Sequence, residues 1–256
     1  MGNRRRKVGE PGVRRPIAVM SGALLATVLV AGAAGAGAEA PQAAAAPTPH
    51  FLALGDSYTI GESVAAEDRW PERLVGLLAA RGVAMSPPRV IARTGWTTRD
   101  LARALDAERP QVPVEAPFEL VSLMIGVNDQ FRGEDVEGYA ARFEALLARV
   151  VALAGGSPSR VLVLSIPDYG VTPFARRFGI DPRKVAGEVD RFNEAARRAT
   201  LRAGAQWIDV TPASRRAAED AELIARDGLH ASAKLHAEWA RSVLPVAVEA
   251  LATPAR

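Results

Sequence analysis

The chain has 256 residues, with 32 basic and 29 acidic side chains and no cysteine. Residues 1–38 hold six of the basic residues (Arg4, Arg5, Arg6, Lys7, Arg14 and Arg15) and one acidic residue, Glu10, which leaves 26 basic against 28 acidic beyond them. That balance removes the electrostatic case for a nucleic-acid partner, and the lack of cysteine excludes both a disulfide-held fold and a lipidated-cysteine anchor.

The cationic start is followed by an uncharged stretch from Pro16 to Ala38, rich in Ala, Val, Leu and Gly. This is the layout of a secretory signal over residues 1–38, with cleavage after Ala38 at Ala36-Gly37-Ala38 or earlier at Ala34-Gly35-Ala36. Secretion is the expected outcome. The same stretch is long enough to span a bilayer, so an uncleaved N-terminal anchor is the competing expectation. Arg14-Arg15 would also suit a twin-arginine exporter. Residues 39–49, mostly Ala and Pro, read as a linker. The folded domain is expected over 50–250, with a short tail at 251–256.

Five short runs are apolar on both parities, the pattern of strands buried on two faces of a parallel sheet. They are Phe51 to Leu54, Val90 to Ala92, Leu120 to Ile125, Val161 to Ile166 and Trp207 to Val210. Helical periods lie between them. The clearest carries Val136, Tyr139, Phe143, Leu146, Leu147 and Val150 behind a cap at Asp135. A second runs through Val185, Val189, Phe192 and Ala196, and the last starts near Ser232 with Leu235, Trp239, Val243 and Leu244. Strand and helix in alternation predict an α/β sandwich.

In such a sheet ligands bind beyond the carboxyl ends of the strands. Ser57, Gly95, Asn128 and the Asp168 region each follow an apolar run and so share that rim. Ser57 needs a base to act as a nucleophile. Of the three histidines, His50 lies at the linker junction and His236 in the last helix, whereas His230 follows Asp227 in Asp227-Gly228-Leu229-His230. Asp227 can then orient one ring nitrogen while the other faces Ser57. Three oxyanion donors are available: the N–H of Ser57, the N–H of Gly95 and the amide of Asn128.

These blocks resemble the GDSL-type, or SGNH, serine hydrolases of the secreted bacterial branch. The resemblance rests on Gly55-Asp56-Ser57-Tyr58, Gly95 in Thr94-Gly95-Trp96, Asn128 in Gly126-Val127-Asn128-Asp129, and His230, in the family's order and spanning about 50–250. It implies a three-layer α/β/α fold with a five-stranded parallel sheet, flavodoxin-like, and ester hydrolysis through an acyl-enzyme without metal or other cofactor. Tyr58 stands where the family name has leucine, and Ala231 where proline often follows the histidine; loop effects alone are expected from both.

The substrate expected is a small-molecule or lipid ester, acted on by a monomer that meets membrane only through its leader or a lipid substrate. A catalytically silent domain binding lipid or glycan is the alternative. Asp56 and Asp129 are expected to hold loops through backbone N–H groups, and no compact spacing makes a metal site of them with Asp227 and His230. Trp96, Tyr169, Phe174 and Phe178 are candidates to line the pocket or to sit in the core. Arg176-Arg177 and Arg183-Lys184 read as a solvated face that would also suit an anionic head group.

Overall fold

The computed structural model describes residues 48–108 and 117–252; the expected leader and residues 39–47 of the linker lie outside the described residues. Its sheet contains β1 (Phe51–Gly55), β2 (Arg89–Ala92), β3 (Leu120–Met124), β4 (Val161–Leu164) and β5 (Gln206–Ile208). All neighbours are parallel, in the order β2-β1-β3-β4-β5. β1, β3 and β4 are buried at every position, which is why both parities are apolar; β2 and β5 are the half-buried edges.

The helices are α1 (Ser57–Ile60), α2 (Trp70–Ala79), α3 (Thr98–Glu108), α4 (Val127–Phe131), α5 (Val136–Leu153), α6 (Pro173–Arg177), α7 (Pro182–Arg202), α8 (Thr211–Arg215) and α9 (Ala233–Ala252). α2 packs with α9, and α5 packs with α3 and α7, so that the sheet is the middle of three layers. Asp135 caps α5 by accepting the Gly138 N–H at 2.6 Å, and the helix buries Tyr139, Phe143, Leu146, Leu147 and Val150. α7 starts on Pro182, whose missing N–H costs nothing at that position, and Asp181 caps it from outside. Each fully buried Leu or Phe on these stripes stabilises by roughly 1.5–3 kcal/mol.

Three of the predicted strands run longer than the strands observed. β5 ends at Ile208 because the N–H groups of Val210 and Thr211 turn away to Ser165 Oγ, at 2.7 and 3.0 Å. β4 ends at Leu164, and the Ile166 N–H goes to Asn193 Oδ1 at 2.8 Å. β3 stops at Met124, one residue early. α9 passes Pro245 and reaches Ala252.

One histidine is structural. His236 is buried on α9, its ring edge-on to Trp239, and its Nδ1 accepts the N–H of Trp70 at the start of α2 at 3.3 Å. An acceptor there must be unprotonated, and burial together with Arg73 and Arg69 pushes His236 down to about 3.

From β1 the chain passes to β2 on one side and then crosses to β3 on the other. The crevice that opens at such a reversal lies beyond Gly55 and Met124, the last residues of β1 and β3. Ser57 and Asn128 lie just past those two ends.

Candidate active site

β1 turns into α1 through Gly55, where a Cβ would fall 2.1 Å from Thr59 Oγ1 and 2.4 Å from the Met124 carbonyl. No other residue lets β1 and β3 close this tightly before the turn. Asp56 then caps α1, its Oδ1 accepting the Tyr58 N–H at 3.0 Å, which presents Ser57 at the first helical position. Asp129 does the parallel task on the far side, accepting the N–H and the hydroxyl of Thr98 at 2.9 and 2.6 Å.

Asp56 is fully buried and its Oδ2 has no partner among the described residues. Burial pushes its carboxyl up to about 7; the Tyr58 N–H opposes this and Asp129 adds to it. The unfolded carboxyl ionises near 3.8 while the folded one keeps its proton to about 7, so Asp56 costs wild-type stability as pH rises through that window. Asp56→Asn mimics the protonated form. Its unfolding free energy in urea is expected to gain roughly 4 kcal/mol on wild type between pH 4 and 8; a pH-independent gap would mean that Asp56 is ionised throughout.

His230 is held from Asp227. The Oδ2 of Asp227 accepts from His230 Nδ1 at 2.6 Å, and its Oδ1 accepts the N–H groups of Leu229 and His230 at 2.9 and 3.0 Å. A carboxylate only accepts, so the proton of the short contact sits on Nδ1, and Nε2 is the ring nitrogen left free of Asp227. Partial burial resists ionisation of Asp227, but its hydrogen bonds from Ser63, His230 and Leu229 outweigh that and hold it well below the usual carboxylate range.

Ser57, Asn128 and His230 line one cavity of about 130 Å³ with Phe131, Tyr169 and Phe174. Ser57 is 4 % exposed and makes no hydrogen bond to Nε2, a separation common before substrate binds. Asn128, on α4, donates from Nδ2 to the Trp96 carbonyl at 2.9 Å, which leaves its second amide proton. Gly95 is outside the cavity lining. Its φ of +80° is what demands glycine, since a Cβ there would meet only Arg132 Nη2 at 3.8 Å; access for a substrate is not the constraint. Arg132 also donates to the Gly95 carbonyl, at 2.6 Å.

Of the aromatic candidates, Tyr169 and Phe174 line the cavity; Phe178 is exposed and stacks on Phe174 with centroids 4.8 Å apart. Trp96 instead borders a hollow of about 520 Å³ along β2 with Arg89 and Arg93. That hollow is larger, yet it contains no paired nucleophile and base. Asp168 is a buried structural residue, accepting from the Gly170 N–H and from Arg215 Nε, both at 2.9 Å. Among the described residues no group of three or more His, Asp or Glu side chains is arranged to hold a metal ion.

Two residues with direct contacts to the histidine loop escape a sequence reading. Tyr58 was expected to affect loops alone; its ring lies 5.3 Å from the His230 ring and 6.1 Å from Trp239, so it backs the imidazole directly. The second is Ser63, the one non-glycine residue with positive φ (68°) among the described residues, whose Oγ donates to Asp227 Oδ2 at 2.6 Å. A left-handed backbone costs on the order of 1 kcal/mol. Losing a hydrogen bond to a charged group costs about 1.5–3 kcal/mol. Ser63→Ala is therefore expected to lower kcat about tenfold at nearly constant KM. Ser63→Asn, which tolerates positive φ and keeps a donor, should restore most of it; equal turnover in Ser63→Ala and wild type would make the contact incidental.

The five-stranded parallel sheet between helical layers and the Asp227–His230 pair at its rim are the architecture of the GDSL/SGNH hydrolases. The chain belongs to the GDSL-like lipase/acylhydrolase family, whose sequence model matches residues 53–238. Over 133 residues it is 35% identical to Lipase 2 of Streptomyces coelicolor, an alignment covering 47% of this chain and 42% of that protein. The match thus spans about two fifths of that relative. Esterase EstA from Pseudoalteromonas sp., solved inhibited by monoethylphosphonate, superposes with a TM-score of 0.57 at 19% identity, covering 80% of this chain and 99% of that one. An acetyl xylan esterase from Geobacillus stearothermophilus superposes with a TM-score of 0.53 at 21% identity, covering 78% and 94%. At these identities the two structures speak for the fold.

Proposed function

We propose that this protein is an exported serine esterase that cleaves carboxylic esters through an acyl-enzyme on Ser57. The observation that carries the reading is the convergence of Ser57, Asn128 and His230 on one cavity, with His230 Nδ1 bound to Asp227 at 2.6 Å. His230 Nε2 takes the proton of Ser57 Oγ as the oxygen attacks the ester carbonyl, and Asp227 stabilises the imidazolium that forms. The free amide proton of Asn128 and the N–H of Ser57 meet the developing oxyanion. Gly95 joins them as a third donor only if its loop moves toward the cavity. His230 then returns the proton to the departing alcohol, and water repeats the cycle to release the acid.

The cavity has room for about four water-sized groups at roughly 30 Å³ each. This favours an acetyl or short acyl group inside, with the remainder of a lipid or lysophospholipid acyl chain crossing the aromatic residues at its mouth. Export rests on the cationic and uncharged layout of residues 1–38. Among the described residues no helix is long and apolar enough to cross a membrane.

A fluorophosphonate probe tests the nucleophile directly. The adduct is expected on the peptide carrying Ser57, with none on Ser57→Ala, and with hydrolysis of water-soluble acetyl and butyryl esters. Folded protein that neither labels nor turns over these esters would be a binding domain.

A further inference from the structure

Three large apolar side chains stand exposed among the described residues, and two of them, Phe131 (53 %) and Phe178 (62 %), belong to the mouth of this cavity. Phe174 joins them, 6.4 Å from Phe131 and 4.8 Å from Phe178 by ring centroids, so an unbroken apolar path leads from the cavity to solvent. An exposed apolar patch of adjoining side chains marks a surface that meets a partner, a ligand or a membrane.

The segment that carries Phe174 and Phe178 is rich in cations, while Glu188 stands at the other end of the path, accepting from Gln130 Nε2 at 2.7 Å. Residues 173–184 contain Arg176, Arg177, Arg183 and Lys184 against a single acid, Asp181. Asp181 is occupied in capping α7 through the Arg183 N–H. None of the four cations pairs with a carboxylate among the described residues; Arg176 donates to the Val171 carbonyl, and the Arg177 guanidinium lies 5.7 Å from the Phe178 ring centre. Some other surface arginines are matched, as in Arg73 with Asp68, Arg197 with Glu194 and Arg216 with Glu238. Unmatched cations set around exposed aromatics fit a boundary with apolar chains on one side and anionic head groups on the other.

We propose that α6 and the loop after it dock the protein on an anionic phospholipid surface, with Phe178 entering the acyl layer and Arg177, Arg183 and Lys184 meeting the head groups. The proposal rests on the ester-hydrolase reading, and it directs that activity to ester substrates held in a lipid surface. The rim is tied to the histidine loop, because the Phe174 N–H donates to the Gly228 carbonyl at 2.9 Å. Docking therefore sets the cavity mouth against the lipid face.

The described domain carries its own sheet and core, so residues 39–256 are used, with thermal melts to establish folding of each variant. Vesicles of phosphatidylglycerol in phosphatidylcholine are compared with phosphatidylcholine alone by flotation. Wild type is expected to float with the anionic vesicles only. Arg177→Gln/Arg183→Gln/Lys184→Gln should lower the partition coefficient on the order of 100-fold, about fivefold per cation. Phe178→Ser should lower it about tenfold.

Equal partition into both vesicle types, or no loss in the triple variant, would overturn the proposal. So would retention on a soluble anionic polysaccharide that Phe178→Ser leaves unchanged. Turnover of a water-soluble acetyl ester separates the two readings, since it is expected within twofold of wild type in the triple cation variant. Ester cleavage without vesicle binding refutes docking alone; vesicle binding without ester cleavage refutes catalysis alone.

Discussion

Ser57→Ala is expected to lower turnover of a soluble ester by about 10⁶-fold, the scale seen when a triad nucleophile is removed from another serine hydrolase. The change should leave the fold untouched. Ser57 Oγ makes no hydrogen bond to any described residue, so its removal orphans no buried partner, and the Asp56 cap that shapes α1 uses the Tyr58 N–H. A melting temperature close to wild type together with lost turnover is the expected pair of results. Wild-type turnover in the folded variant would move the nucleophile to water or to another side chain and would end the acyl-enzyme reading.

Asn128→Ala is expected to lower kcat by 10²- to 10³-fold, the effect of deleting one oxyanion donor. The same amide donates to the Trp96 carbonyl, so two roles must be told apart. A donor that acts on the oxyanion is felt in the transition state and lowers kcat at nearly constant KM. A purely structural amide would reveal itself differently: its loss would leave the Trp96 carbonyl unsatisfied, cost about 1–3 kcal/mol of stability and spare the chemistry. A drop in kcat below threefold with a clear loss in melting temperature would assign Asn128 to the loop.

The parts of the site that were legible in the sequence are those encoded locally. Ser57 follows β1 by two residues, and Asp227 and His230 are three residues apart, so strand pattern and spacing sufficed. The buried strands were visible because a strand covered on both faces has no polar parity to hide. What stayed hidden depends on partners remote in the chain. Ser63 reaches Asp227 across 164 residues, and nothing around it marks a residue bound for positive φ. The shortening of β5 is set by Ser165, a hydroxyl on another strand's end that outcompetes the ladder for two N–H groups. Phe131 had a readable signal: it lies four residues after Val127 and one α-turn from Asn128's block, on the side of α4 that lines the cavity. Gly95 was read as a donor, yet its position reflects backbone conformation, and the cavity forms without it.

His236 gives the molecule a counterweight. An imidazole that must stay neutral to accept from Trp70 binds its proton more readily in the unfolded chain, so stability drains away as pH falls from 6.5 toward 3. Asp56 has the opposite slope across much of that range, since its carboxyl holds a proton in the fold up to about 7. The two buried groups titrate against each other from different layers of the protein. On mild acidification the contributions of these two groups run in opposite directions and partly offset, and replacing either one leaves the other's slope uncompensated.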